Sequence, residues 1–112
     1  MNEAVRRAIG HQAVAKINGR PSGAIYSYEA GKYIHMSGGG SSAYDYDASA
    51  HISGSSSGFY HYGESAHVSL STNGKSFQGY DYSSSHHFSG TVNGNSVQLY
   101  DYGEGRYFNY SV

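Results

Sequence analysis

The chain has 112 residues, with 13 Tyr, 16 Gly, one Pro, no Cys, no Trp and a formal charge of −1. That length fits a single domain, and the missing Cys excludes disulfides, thiol catalysis and thiolate metal sites. A charge this close to zero argues against a polyanionic partner such as nucleic acid, whose binding rests on Lys and Arg.

Val, Ile, Leu and Phe together supply only 17 residues, below the ~20% level associated with disorder. Disorder also calls for high net charge and few aromatics, and neither holds here. A folded form of this chain has to draw much of its buried area from Tyr.

In chain order, Asn2 caps a short helix over residues 1–10, with Val5, Ala8 and Ile9 on one face and Gly10 as its stop. Two turns or fewer are not stable alone, so the helix is expected to pack on a sheet and close one end of it. Residues 11–112 form the remainder of the single domain, as about five hairpin repeats. The segment His11 to Ile17 reads as half of one hairpin, because AKINGR aligns with GTVNGN. Asn18-Gly19 then reads as a two-residue turn. No apolar run is long enough for a signal peptide or a membrane span, so the expected compartment is the cytoplasm, with no membrane partner.

The repeat itself is carried by Tyr-x-Tyr, at Tyr26/Tyr28, Tyr44/Tyr46, Tyr60/Tyr62, Tyr80/Tyr82 and Tyr100/Tyr102. Successive starts lie 18, 16, 20 and 20 residues apart. Four residues follow each pair, and then come an aromatic or His and an apolar residue: Tyr33-Ile34, His51-Ile52, His67-Val68, His87-Phe88 and Tyr107-Phe108. Each unit reads as strand, short polar loop, strand. Asn73-Gly74 and Asn93-Gly94 mark tight turns between units, and Gly31 and Gly105 suit the left-handed position of a bulged turn. The whole is about eleven short strands in an antiparallel up-and-down meander.

Alternation sorts the faces. A four-residue loop sets Tyr102 opposite Tyr107 and Tyr100 opposite Asn109. One face is then a grid of Tyr44, Tyr46 and His51, then Tyr60, Tyr62 and His67, then Tyr80, Tyr82 and His87, each followed by Ser. The other holds Ile25, Ile34, Met36, Ile52, Phe59, Val68, Leu70, Phe88, Val92, Val97 and Val112, and is the natural core. Asp45, Asp81 and Asp101 share the core parity, which requires them to lie at its rim or the hairpins to carry bulges. To bury its apolar face the meander must roll into a barrel-like or two-layer structure, for which abundant Gly and Ser are suited.

The grid resembles the aromatic-rich hairpin repeats of cell-wall and glucan-binding modules, whose period is also near twenty residues. Those repeats lean on Trp and a Gly-Trp signature that this chain lacks, so no binding residue is carried over. From the residues alone, the nine Tyr and His of the grid are candidate contacts for a carbohydrate or a protein partner, since aromatic rings stack on sugars and their polar edges hydrogen-bond. The alternative is a structural or self-assembling repeat in which Tyr–Tyr pairs stabilise the sheet and an exposed edge such as Tyr107 to Val112 joins copies into a homo-oligomer. Equivalent His residues lie two strands, roughly 10 Å, apart and do not share a metal on a flat sheet, so no metal or other cofactor is expected. Their alignment suggests a response to pH near 6. No nucleophile elbow, phosphate loop or dinucleotide fingerprint is present, and the chain is read as non-catalytic.

Overall fold

A computed structural model describes all 112 residues. Helix α1 (Glu3–Asn18) precedes ten strands: β1 (Ala24–Ser27), β2 (Lys32–Gly39), β3 (Ser42–Asp45), β4 (Ala50–Ser55), β5 (Gly58–His61), β6 (Ala66–Asn73), β7 (Ser76–Asp81), β8 (His86–Asn93), β9 (Ser96–Asp101) and β10 (Arg106–Ser111). All neighbours are antiparallel and sequential, and β1 pairs with β10, so the meander closes into a barrel. Four-residue loops follow β1, β3, β5, β7 and β9 at one end, and two-residue loops follow β2, β4, β6 and β8 at the other.

The N-terminal segment differs from its expected form. The helix does not stop at Gly10 but runs to Asn18, and the segment His11 to Ile17 is helical, so there are ten strands rather than eleven. Asn18-Gly19 is the end of the helix: Gly19 takes φ 72° and its N–H donates to the Ala15 carbonyl at 2.9 Å. The left-handed Gly that a tight hairpin needs is the same Gly that ends a helix, so the dipeptide alone does not separate them.

Nor does the helix close one end. It is buried on every side from Val5 through Val14 and packs against β1, β2, β6, β8 and β9, so it fills the barrel. Eight strands enclose an interior that side chains alone can fill; ten enclose more, and a helix about 10–12 Å across takes up the difference. Ala8, Gly10 and Ala13 keep it narrow, and Ile9 and Val14 pack with the inward row of Ile25, Ile34, Met36, Ile52, Leu70 and Leu99. Burial of each such side chain stabilises the fold by about 1.5–3 kcal/mol.

Glycine makes room for the Phe rings in this wall. Gly79 stands opposite Phe88 and Gly90 opposite Phe77 on adjacent strands. A Cβ on Gly79 would lie 2.6 Å from Phe88 Cζ, and one on Gly90 would lie 2.4 Å from Phe77 Cζ. Each ring therefore lies over a backbone that has no side chain.

The barrel's closing seam is its thinnest pairing. β1 and β10 share only the pairs Tyr26–Ser111 and Ser27–Tyr110, whereas β7 and β8 share six. Arg106 of β10 reinforces the seam with a two-pronged bond to Glu29 of the first loop, at 2.8 and 3.2 Å. Because β10 is paired on both sides, the segment Tyr107 to Val112 is not the free edge the sequence suggested.

Candidate functional site

The middle residue of every Tyr-x-Tyr points into the barrel and sets the geometry of the two tyrosines around it. These residues are Ser27, Asp45, His61, Asp81 and Asp101, all buried. Each accepts a hydrogen bond from the turn that follows. Ala30 N donates to Ser27 Oγ at 3.1 Å, Asp47 N and Ala48 N donate to Asp45 Oδ1 at 3.0 Å, and Glu64 N donates to His61 Nδ1 at 3.1 Å. Ser83 N and Gly103 N donate to Asp81 and Asp101 Oδ1, each at 2.9 Å.

Such a side chain starts the loop one residue earlier than spacing suggests. The strands resume with Asp101 opposite Arg106, so Tyr107 stands opposite Tyr100 rather than Tyr102, and Tyr102 opens the loop. The last loop position is left-handed in all five turns: Gly31, Ser49, Ser65, Ser85 and Gly105.

The aspartates are thus at the rim of the core, as their parity required, and two of them hold the helix. Arg7 Nε donates to Asp45 Oδ2 at 2.7 Å, and Arg6 Nη1 donates to Asp101 Oδ2 at 3.2 Å. Arg6 also lies over the Phe108 ring, 3.8 Å from its centroid. Glu3 accepts from Tyr110 Oη at 3.1 Å and Ser27 Oγ at 3.2 Å. Burial raises the Glu3 pKa against the lowering effect of these bonds and of Arg6 and Arg7. Burial and the adjacent Glu3 both push the Tyr110 phenol upward. Tyr110 is the one tyrosine inside the barrel.

With the middle residues turned in, the flanking tyrosines turn out. Tyr28, Tyr46, Tyr62, Tyr82 and Tyr102, each the first residue of its loop, are 57–61% exposed and rim one end of the barrel. Tyr26, Tyr44, Tyr60, Tyr80 and Tyr100 lie just below and are half-buried. The two rings of each pair meet edge to face, with centroids 4.8–4.9 Å apart. That geometry suits the aromatic quadrupole.

The nine residues expected to form the grid all lie on this outer wall, between β3 and the start of β8. Seven of them make a continuous run of ring contacts. It passes from His51 to Tyr62 (5.5 Å), Tyr60, His67 (6.4 Å from Tyr60), Tyr82 (5.8 Å from His67), Tyr80 and His87 (4.6 Å from Tyr80). Tyr44 and Tyr46 pair with each other, and Tyr44 stands opposite His51 across β3 and β4. Two further groups of rings stand on the wall: Tyr100 meets Tyr107 at 4.8 Å, and Tyr26 meets Tyr33 at 4.7 Å. No group of three or more His, Asp or Glu side chains is placed to hold a metal ion.

Beside the belt, on β6 to β8, the wall has an open hollow of about 550 Å³. Tyr80, His87 and Tyr102 supply aromatic walls, and Ser69, Ser71, Ser89 and Gln78 supply hydroxyl and amide groups. Gly79 contributes backbone to its floor. Gln78 and Tyr102 were not among the nine candidate contacts. Tyr102 was findable as the fifth-unit counterpart of Tyr82, and Gln78 shares outward parity with Tyr80.

Two histidines are internal. His11 Nε2 lies 2.9 Å from the Ser22 carbonyl, and burial lowers the His11 pKa more than that bond raises it. Burial likewise lowers the His61 pKa, against the opposing fields of Asp45 and Glu64. His51, His67 and His87, the aligned set, are on the outside.

These features define a small, closed, helix-filled β-barrel that carries an aromatic belt on its outer wall. No protein-family model, curated protein or solved structure matches this chain. No helix is long and apolar enough to cross a membrane.

Proposed function

We propose that this barrel is a non-catalytic binding module whose outer Tyr/His belt, centred on the hollow between β6 and β8, takes a neutral carbohydrate. The observation that carries the reading is the composition of the hollow. Its Tyr80, His87 and Tyr102 rings stand beside the uncharged donors and acceptors of Ser69, Ser71, Ser89 and Gln78. Aromatic faces stack on the C–H face of a sugar ring, while hydroxyl and amide groups match sugar hydroxyls. The belt offers further stacking positions at Tyr60, Tyr62, Tyr44 and Tyr46, so an oligosaccharide running along the wall meets more than one.

The buried carboxylates support the non-catalytic part of the proposal. Asp45, Asp81 and Asp101 are shielded from solvent, and their oxygens are engaged by turn N–H groups, Ser hydroxyls or arginines. The proposal also places the protein in water, in the cytoplasm. Outward strand positions are mostly Ser, Thr, Asn, Gln, His and Tyr, whereas a barrel facing lipid needs an apolar band.

The test is binding to an array of neutral oligosaccharides, followed by titration of the strongest hit. Tyr80→Ala and Tyr102→Ala are expected to weaken that hit roughly tenfold, the upper range of one aromatic contact. Tyr33→Ala, far around the barrel, leaves it unchanged. Absence of any carbohydrate hit, or equal effects of all three substitutions, overturns the reading.

A further inference from the structure

The barrel separates its charges along its axis. All eight Asp and Glu residues lie at the end of the Tyr-x-Tyr turns: four in the loops (Glu29, Asp47, Glu64, Glu104), three in the buried ring, and Glu3 at the start of the helix. Four cations share that end. Arg6 and Arg7 are paired inside, and Lys32 and Arg106 are paired with Asp47 and Glu29 at 3.2 and 2.8 Å. Counting side chains, eight carboxylates against four cations leave −4 there, and the N-terminal ammonium, 3.3 Å from Asp101 Oδ2, offsets one of them.

The opposite end carries Lys16, Arg20 and Lys75 and no acidic residue, which leaves +3 and accounts for the −1 of the chain. Arg20 and Lys75 are exposed, and Lys16 is tied to the Ser55 carbonyl at 2.8 Å. Two small hollows, of about 200 and 190 Å³, flank Arg20 beside Pro21. The acidic end adds a ring of five exposed tyrosines around its carboxylates. Aromatic faces and carboxylates both attract guanidinium and ammonium groups. The barrel is almost isometric, 30 × 29 × 28 Å, so the two ends are faces of similar breadth.

We propose that the two ends form one self-interface, in which a second copy of this chain sets its Lys16, Arg20 and Lys75 end against the Tyr-rimmed acidic end of the first. The contact joins unlike surfaces, head to tail, and therefore extends into chains rather than stopping at a symmetric dimer. It needs no strand edge, and it shares Tyr46, Tyr62 and Tyr102 with the carbohydrate surface while resting on charge rather than on that reading.

Sedimentation velocity tests it. In about 10 mM salt, where charges act over about 30 Å, the wild-type chain is expected to form a concentration-dependent ladder of oligomers; in about 1 M salt, where they act over about 3 Å, it is a monomer. Two variants with exposed substitutions are compared, after matching melting temperatures show that they fold. One carries Arg20→Glu with Lys75→Glu, and the other Glu64→Lys with Glu104→Lys. Each variant alone should be monomeric. An equimolar mixture should form dimers and nothing larger, because the first keeps its acidic end and the second its basic end. A wild-type monomer at low salt overturns the proposal, as do oligomers that survive in either variant or a mixture that stays monomeric. Retention on heparin through Arg20 and Lys75 without self-association would give the basic end a different occupant and equally overturn it.

Discussion

Arg7 on the internal helix donates to Asp45, the middle residue of the second Tyr-x-Tyr, at 2.7 Å, with both side chains shielded from water. One carboxylate thereby holds a turn through Oδ1 and the helix through Oδ2. Breaking such a pair from one side is costly because the remaining charge stays buried. Asp45→Ala is expected to lower the free energy of unfolding by about 3–5 kcal/mol. Asp45→Asn, which keeps an oxygen for the turn, is expected to cost less. Urea denaturation of both variants checks the order, and equal losses would contradict the dual role.

The same substitution at two glycines should have opposite signs. Gly10 lies mid-helix, and a Cβ there would meet Ile25, Tyr110 and Val97 at 3.4–3.7 Å, ordinary contact distances. Gly10→Ala is expected to stabilise the fold by about 1 kcal/mol, the difference in helix propensity. At Gly79 a Cβ would lie 1.9 Å from the Ser69 carbonyl oxygen as well as 2.6 Å from Phe88. Gly79→Ala therefore requires a backbone shift and is expected to cost about 1–3 kcal/mol or more. Thermal melts of the two variants should move in opposite directions.

Stability should fall on mild acidification, and the cause is internal. His11 and His61 both titrate below the ordinary 6.5 because burial disfavours their charged forms. As the pH drops below about 6.5, the unfolded chain takes up protons that the folded chain resists, so folding loses free energy until the lowered values are reached. Glu3, raised above 4.5, acts in the opposite sense. The folded state binds its proton more readily, which adds stability as the pH falls through its raised value. With two histidines against one carboxyl, the melting temperature is expected to hold steady above about pH 7 and to decline between about pH 6.5 and 5. His11→Gln with His61→Asn should flatten that decline. A wild-type profile level across the range would contradict the assignment. The sequence pointed instead to the aligned outer histidines.

What was legible in the chain was whatever repeats with period two. The parity of Tyr-x-Tyr against Ile52, Val68, Phe88 and Phe108 sorts the barrel's two sides correctly, because a strand has only two sides to offer. The helix beyond Gly10 was not legible for the converse reason. A helix buried all round has no polar stripe, and Arg6, Arg7, His11 and Gln12 inside a barrel read as surface residues. The partners of Arg7 and Arg6 are the strand-end residues Asp45 and Asp101, dozens of positions away. The belt was visible as a pattern of tyrosines. The hollow was not, since it depends on Gln78, Tyr80 and His87 of adjacent strands meeting Tyr102, which reaches across from the loop after β9.

The central claim is that the tyrosine repeat faces water while its middle residues and Tyr110 face the helix. Photochemically induced nuclear polarisation reads this residue by residue, because only rings open to a dissolved dye respond. Strong signals are expected from Tyr28, Tyr33, Tyr46, Tyr62, Tyr82, Tyr102 and Tyr107, which are 55–71% exposed, and none from Tyr110 at 1%. Silence from the five loop tyrosines, or a response from Tyr110, would contradict the account.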